Sequence, residues 1–250
     1  YMLAAECREM TSATIVTALE DGPIADVLEA YSDRVSPDLI VISSHGRHGI
    51  ARLSLGSVTD ALIRKAHVPV LVVKPEPSYL NPRAAERFSQ MIIPLDGSTL
   101  AEEILSPALR LAKLEQAEVV LLQVLSAQDE EIDTEQARAW WEESLPMAHA
   151  YLNRIASLVR ASGLSVSTDI IVGTTVAEAI SSFAKSRRAG LIAIATHGRS
   201  GLRRAVRGSV ADELMRNGAT SLLALHPARE AVDSPSKIAE QVSGELLTVS

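Results

Sequence analysis

The fold of this chain is decided by residues 191–198, which read LIAIATHG. A short apolar run that ends at a glycine is typical of a buried strand in a parallel sheet. Nine residues later come Gly208, Ser209 and Val210, and we expect a helix over 210–217 with Ser209 as its N-cap. Backbone N–H groups at such a helix start, next to glycines that let a ligand approach, predict a phosphate site.

The same pattern occurs earlier in the chain. Residues 39–46 read LIVISSHG, and nine residues later come Gly56, Ser57 and Val58. The two copies are separated by about 150 residues, which is the length of a domain rather than of a solenoid repeat. The repeat therefore predicts two related domains.

Composition limits the class of protein. The chain has 250 residues, of which 47% are hydrophobic and only 3% aromatic, so we expect a core of Leu, Ile, Val and Ala in a layered α/β fold. A net charge of −7 argues against a nucleic-acid groove. The single cysteine, Cys7, excludes a disulfide framework and is typical of the cytoplasm. No apolar run approaches the roughly 18 residues of a membrane-spanning helix.

Strands and helices alternate along the chain, which predicts a parallel sheet with right-handed crossovers. In the first copy we expect a helix that ends near residue 10, then, in turn, a strand over 12–19, a helix over 24–34, a strand over 39–43, a helix over 57–66 and a strand over 68–73. Pro69, near the start of that last strand, indicates a sheet edge.

The second copy contains a complete set of elements. We expect strands over 90–95, 117–125, 164–172, 191–195 and 220–225, separated by helices over 100–114, 134–162, 174–187 and 210–217. The predicted domains are 1–77 and 89–227, joined by a proline-containing linker over 78–88 and followed by a tail over 228–250.

The first copy has no counterpart of residues 90–126 in this sequence. Either a further segment precedes Tyr1 or the first domain is naturally incomplete, and a first residue of Tyr rather than Met favours the former.

These residues resemble the universal stress protein family in its tandem-domain form. The family's loop has Gly, two residues, Gly, nine residues and then Gly-Ser or Gly-Thr. The second copy matches it with Ala195, Gly198, Gly208 and Ser209, and the first copy with Ser43, Gly46, Gly56 and Ser57. Residues 94–98, PLDGS, resemble the family's first-strand signature.

The resemblance implies a doubly wound, Rossmann-like sheet of strand order 3-2-1-4-5 in each domain, the first lacking its N-terminal part in this sequence. Ligands of such sheets bind outside the carboxyl ends of the strands, where the strand order reverses. Here the reversal lies between strands one and four, so Asp96 and the loop over 195–209 should meet there. Part of the family binds ATP at this place, and part does not.

The implied nucleotide site consists of residues from three strand ends and one loop. They are Pro94, Leu95, Asp96, Val124, Ala195, His197, Gly198, Gly208, Ser209 and Val210. Asp96 would meet the ribose or the adenine edge, the apolar residues before it and on strand two would form the adenine slot, and the loop and helix start would contact the phosphates. Mg²⁺ would be carried by the triphosphate, since the sequence offers no carboxylate cluster to hold it.

Purely structural interpretations of these residues also exist. Asp96 is a suitable helix-capping acid, and the loop glycines suit tight turns. Ala195 departs from the family's glycine and should weaken ATP binding without abolishing it. In the first copy Ser43 takes that position, so we expect the site of Ser43, Gly46, Gly56 and Ser57 to be degenerate and to bind nothing by itself.

The leading functional hypothesis is a universal stress protein that binds ATP in its second domain and acts in stress response or regulation. No Walker lysine, positioned general base or acidic metal dyad is evident, so rapid catalysis is not expected, although slow hydrolysis is compatible with these residues. The expected partners are the nucleotide, the other internal domain and a second copy in a homodimer, with no nucleic acid or membrane. The alternative is a nucleotide-free interaction module, in which the terminal strands 68–73 and 220–225 pair and remove two exposed sheet edges.

Overall fold

The computed structural model describes residues 2–44, 56–74, 88–126, 134–196 and 209–227. The chain divides after Ser36 into two compact units. The predicted domain limits and the linker remain predictions, since the division after Ser36 does not test them.

The first unit contains two helices, α1 (Met2–Met10) and α2 (Ile24–Val35), as predicted. The strand predicted over 12–19 is wrong, because these residues form no strand. The segment has β-branched residues, yet a strand also requires a neighbour to accept its backbone hydrogen bonds. None of the described strands pairs with it, and the side chain of Leu19 is 99% exposed.

The second unit is built on a seven-stranded sheet. Its strands are β1 (Ile40–Ser43), β2 (Val70–Val73), β3 (Gln90–Pro94), β4 (Glu118–Leu125), β5 (Val166–Val172), β6 (Leu191–Ala195) and β7 (Ser221–Leu225). The described helices are α3 (Ser57–Lys65), α4 (Thr99–Glu102), α5 (Leu105–Glu115), α6 (Thr134–Ala161), α7 (Val176–Arg187) and α8 (Ser209–Asn217).

The strand order confirms the predicted fold class. The order across the sheet is β1-β2-β7-β6-β3-β4-β5. Read from β5 to β7, these are the third, second, first, fourth and fifth strands of the second copy, which is the predicted order 3-2-1-4-5. Every neighbouring pair among them is parallel. β1 and β2 are the fourth and fifth strands of the first copy and are also parallel.

The two copies join through an antiparallel pair of strands, β2 and β7. Leu71 lies opposite Leu223 and Val72 opposite Leu222, so both copies share one sheet. The edge position expected from Pro69 is therefore wrong. Pro69 precedes β2, where its missing N–H costs no ladder bond, and its carbonyl accepts a bond from the Ile40 N–H at 3.0 Å.

Lys74 reinforces this junction. Its backbone N–H donates to the Ser221 hydroxyl at 3.1 Å, and its Nζ donates to the Met215 carbonyl at 2.8 Å. Met215 lies in the last turn of α8, where carbonyls lack helical partners. Lys74 of the first copy thus caps the C-terminal end of α8 in the second copy. Burial of its side chain lowers the pKa of Lys74.

The structure divides one predicted helix and begins another one residue earlier, while the other predicted helix ends differ by at most two residues. The helix predicted over 100–114 is divided into α4 and α5, because Pro107 has no N–H for the carbonyl of Glu103 and its ring would clash there in a continuous helix. α8 begins at Ser209 itself rather than at the residue after it.

Each face of the sheet carries its own core. Met91 and Ile93 point to the side covered by α4, α5 and α6, whereas Ile92 between them points to the side covered by α3, α7 and α8. This alternation follows from the two-residue period of a strand. Because both faces are covered, the central strands read as continuous apolar runs.

Candidate functional site

The pairing between β3 and β6 ends before either strand ends. The last residues paired between these strands are Ile92 and Ile192. Both strands continue beyond this pair, with Pro94 still paired to β4 and Ala195 still paired to β7. This unpaired end lies between the first and fourth strands of the second copy, at the reversal point of a doubly wound sheet, and we call the place beyond the last pair the crevice.

Asp96 lies in the tight turn that follows β3. Its Oδ1 accepts hydrogen bonds from the Ser98 N–H at 2.9 Å and from the Ser98 hydroxyl at 2.6 Å. Gly97 between them has φ of 82°, a left-handed conformation that favours glycine. The Ser98 hydroxyl in turn accepts from the Ala101 N–H at 3.1 Å and caps α4. The partly exposed carboxylate of Asp96 thus takes part in a capping turn at the mouth of the crevice.

The apolar residues predicted for the adenine slot do not share one face of the sheet. Leu95 is buried in the core on the α5 and α6 side, and its N–H donates to the Leu122 carbonyl at 2.8 Å. Val124 is partly buried and packs on the opposite core. The structure therefore does not bring these two side chains together, whereas Pro94 ends β3 beside the crevice.

Ala195 is the last residue of β6, and its methyl group is buried. Thr196 follows it, also buried, and donates its backbone N–H to the Leu225 carbonyl at 2.8 Å. The Thr196 hydroxyl lies 3.1 Å from Nδ1 of His226. These contacts hold the end of β6 against β7, so they leave the β3 side as the open side of the crevice.

The predicted phosphate-binding helix start is the N-terminus of α8. Ser209 begins α8, and Val210 is partly buried against the core on that side. His197, Gly198 and Gly208 lie outside the described residues.

The corresponding position of the first copy repeats the same backbone bonds. The Ser44 N–H donates to the Val73 carbonyl at 3.0 Å, as Thr196 does to Leu225. Ser43 ends β1 and its carbonyl accepts from the Thr59 hydroxyl at 3.4 Å, while Gly56 and Ser57 stand at the start of α3. Gly46 lies outside the described residues.

The site of the first copy, formed by the end of β1 and the start of α3, differs from that of the second copy in its neighbouring strand. Among the described strands, β1 pairs only with β2. No counterpart of Asp96 faces Ser43 among the described residues, and the degenerate site stays a prediction.

A buried polar cluster lies next to the Asp96 turn, and sequence reasoning did not find it. Glu102 of α4 is 6% exposed and pairs with Arg154 of α6 at 2.9 Å. The Arg154 guanidinium lies 5.5 Å from the centre of the Tyr151 ring. Burial raises the pKa of the Tyr151 hydroxyl, as do the negative charges of Glu102 and Asp96, against the opposing charge of Arg154. No spacing rule links these residues, because α4 and α6 meet only in the folded chain.

The described residues offer no group of three His, Cys, Asp or Glu side chains that could hold a metal ion. Likewise, no helix in the described part of the chain is both long and apolar enough to cross a membrane.

A family model described as the universal stress protein family matches residues 3–74 and 87–226. The chain belongs to the universal stress protein family. The two matched segments correspond to the two copies of the repeat, so the resemblance inferred from the loops is confirmed.

Individual relatives agree with this assignment. A universal stress protein of Methanocaldococcus jannaschii is 40% identical over 60 residues, which are 24% of this chain and 35% of that protein. The universal stress protein Rv2005c of Mycobacterium tuberculosis is 24% identical over 209 residues, which are 77% of this chain and 62% of that protein. The chain thus spans less than two thirds of the length of these relatives.

Solved structures show the same fold. A universal stress protein from Archaeoglobus fulgidus matches with a TM-score of 0.68 and 18% identity, covering 91% of this chain and 76% of that one. A protein from Pseudomonas aeruginosa described as a putative universal stress protein gives a TM-score of 0.64 and 19% identity, covering 98% and 79%.

Proposed function

We propose that this universal stress protein binds an adenine nucleotide, ATP, in the crevice between β3 and β6 and acts as a ligand-responsive regulator in stress response. The observation that carries the proposal is the end of the β3–β6 pairing at Ile92 and Ile192, with the Asp96 carboxylate in the turn that directly follows β3. An aspartate in this position suits the hydroxyl groups of a ribose, because a carboxylate accepts hydrogen bonds from such donors.

The proposed ligand residues come from the carboxyl ends of β3, β4 and β6 and from the loop and helix start that follow β6, with Leu95 and Val124 contributing backbone groups because their side chains face opposite cores. They are Pro94, Leu95, Asp96, Val124, Ala195, His197, Gly198, Gly208, Ser209 and Val210. We assign the ribose or adenine edge to Asp96 and the phosphates to the loop and the start of α8, where N–H groups favour anions. Mg²⁺ would arrive on the triphosphate, because the described residues form no cluster of protein ligands for it.

ATP acts in this proposal as a ligand that shifts conformational populations rather than as a substrate consumed rapidly. The described crevice residues include no lysine and no acid–base pair aligned for phosphoryl transfer. We place this regulator in the cytoplasm, with a second copy of itself as its protein partner, and not on nucleic acid or a membrane. Size-exclusion chromatography with light scattering measures the assembly state directly.

The test of the site is a thermal shift with ATP. A ligand at 100 times its Kd stabilises the folded state by about 2.7 kcal/mol, so ATP should raise the melting temperature of the parent protein. We expect Asp96→Ala and Gly208→Val to lose this shift. Asp169→Ala is the matched control, because its carboxylate lies on the edge strand β5 and pairs with Arg187 at 2.5 Å, away from β3.

Two further measurements belong to this test. Protein purified without added nucleotide is denatured, and the supernatant is examined for adenine absorbance and mass. Phosphate release above background measures turnover, which we expect to be slow. An unchanged melting temperature of the parent at millimolar ATP would refute the nucleotide proposal.

Ala195 provides a test in the opposite direction. Restoring the family's glycine with Ala195→Gly removes a buried methyl group at the end of β6 and lets the backbone approach the nucleotide more closely. We expect tighter ATP binding together with a loss of stability of about 0.5–1 kcal/mol. Titration calorimetry measures the ATP affinity of the folded protein, so tighter binding can be detected separately from the loss of stability.

The pairing of β2 with β7 favours a second candidate function. In this nucleotide-free interaction module, the joined copies form a scaffold, and the antiparallel junction at Leu71 and Leu223 supplies its continuity. This candidate predicts that ATP leaves both the melting temperature and the assembly state unchanged. The thermal-shift experiment therefore decides between the two.

A further inference from the structure

A continuous series of hydrogen bonds leads from Asp96 to α6. Ser98 donates twice to Asp96 Oδ1, and its own hydroxyl accepts from the Ala101 N–H. The carbonyl of Ser98 accepts from the Glu102 N–H at 3.2 Å. The Glu102 carboxylate then accepts from Arg154 Nη2 at 2.9 Å. Every step of the series is a direct contact, with no gap between the crevice and α6.

The element in the middle of this series cannot hold its own position. α4 has only four residues, and an isolated helix of that length is unstable because nucleation costs more than its few bonds return. Its place is therefore set by tertiary contacts, which are the packing of Ala101 in the core and the polar contacts at its two ends. Ser98 holds the first end, next to Asp96, and Glu102 holds the last, against Arg154.

The contact at the C-terminal end of α4 is the ion pair between Glu102 and Arg154. Glu102 is 6% exposed, and a carboxylate buried to this degree is tolerated only when it is paired. Arg154 supplies the pair while its guanidinium also lies over the ring of Tyr151, which packs on the core. Because removal of Arg154 would leave the buried Glu102 carboxylate without this partner, whereas Arg154 itself is half exposed, the burial of Glu102 is what favours keeping the pair together.

We propose that Glu102 and Arg154 are positioning residues that act through α4 and Ser98 to fix the Asp96 carboxylate for its ligand and to link the crevice to α6. This inference rests on the proposed nucleotide site for the ligand, but it concerns Glu102 and Arg154, which are not among the proposed ligand residues. Its structural half can be tested without any ligand.

The first experiment follows backbone amide exchange in the full chain without nucleotide. Glu102→Gln keeps the shape of the side chain and removes the charge that Arg154 requires. We expect the Ser98 and Ala101 amides to exchange at least about fivefold faster, because their acceptors lose a fixed position. Asp169→Asn is the control, since it removes the charge from another ion pair of the same domain and should leave these amides unchanged.

The second experiment measures ATP affinity by titration calorimetry in a double-mutant cycle. Glu102→Gln should weaken ATP binding about five- to tenfold in the parent, and should add almost nothing when Asp96→Asn is already present. A general structural defect would weaken binding in both backgrounds. Arg154→Ala should behave as Glu102→Gln does, and Arg154→Lys should recover part of the loss by restoring the charge.

The outcomes separate this inference from the proposed function. Parent-like exchange and affinity in Glu102→Gln, or an equal loss in both Asp96 backgrounds, overturns the positioning role while the nucleotide site stands. If the parent itself does not bind ATP, the proposed function fails, and unchanged exchange at Ser98 would then overturn the positioning role as well. Faster exchange at Ser98 with unchanged exchange in the control supports it.

Discussion

The junction between the two copies makes a prediction about how the second unit unfolds. Leu71 of β2 is 5% exposed and belongs to the same core as residues of α5 and α6. It lies directly opposite Leu223 of β7. If the copies form one cooperative structure through this pair, a change at Leu71 must destabilise elements of the other copy.

The change is Leu71→Ala, and its size follows from burial. Replacing a fully buried leucine by alanine costs about 2–5 kcal/mol, because apolar contacts are lost and a cavity remains. With a urea m-value of about 2–3 kcal/mol per molar, the midpoint should fall by roughly 1 M. Val41→Ala in β1 is the control. Its side chain is 60% exposed, so its effect should stay within about 0.5 kcal/mol.

The assay uses the fluorescence of Trp140 and Trp141, which both lie in α6 of the second copy with their ring centres 4.7 Å apart. Because the two tryptophans are far in sequence from β2, their unfolding transition shows whether the destabilisation caused by Leu71→Ala reaches the second copy. Circular dichroism should show the same single transition. Leu223→Ala should not add fully to Leu71→Ala, because the two residues are direct partners.

One result would refute this reasoning. If Leu71→Ala leaves the tryptophan transition at its original midpoint and produces an earlier transition by circular dichroism alone, the first copy unfolds independently. The junction at β2 and β7 would then be a contact between two separate folding units.

Three further predictions concern single residues of the second copy. A Cβ at Gly173 would lie 2.7 Å from that of Ala179, so Gly173→Ala should displace the start of α7 and lower the free energy of unfolding by about 1–3 kcal/mol in a urea titration. Ser98→Ala removes the bond to the Ala101 N–H and should cost about 1 kcal/mol by the same measurement, whereas retention of full stability would show that the cap contributes nothing. Burial raises the pKa of Glu103, which means that its charged form is disfavoured in the folded state and that its contribution to stability improves as pH falls through this raised pKa. Glu103→Gln should therefore raise the free energy of unfolding at pH 7 and with it the melting temperature, by less than about 1 kcal/mol because the group is partly exposed. This gain should disappear near pH 4. A gain that is independent of pH would contradict the assignment.

The conformation of short stretches could be predicted where local chemistry decides it. The apolar run over 191–195 predicted β6, and Gly208 with Ser209 predicted the start of α8 to within one residue. The repeat of the loop pattern predicted the second copy of the fold and, through the resemblance, its strand order. The crevice between β3 and β6 then followed from that order.

The failures share a different cause. Residues 12–19 have the composition of a strand, but strand formation requires a partner whose presence no local pattern reveals. Pro69 suggested an edge, and β2 instead has neighbours on both sides, because a proline just before a strand interferes with neither ladder. The division between α4 and α5 is the exception, because its cause is local: Pro107 has no N–H for the carbonyl of Glu103.

The amino-acid sequence is enough to predict most of the helices and strands, the duplicated pattern and the chemistry available at the strand ends. The antiparallel pairing of β2 with β7, and the contact of Glu102 with Arg154 beside Tyr151, arise only in the folded chain. Backbone bonds and caps form between near neighbours in sequence, so a few residues are enough to predict them. Strand direction and a buried ion pair depend on where distant segments meet, which is set by the packing of the whole core on the two faces of the sheet.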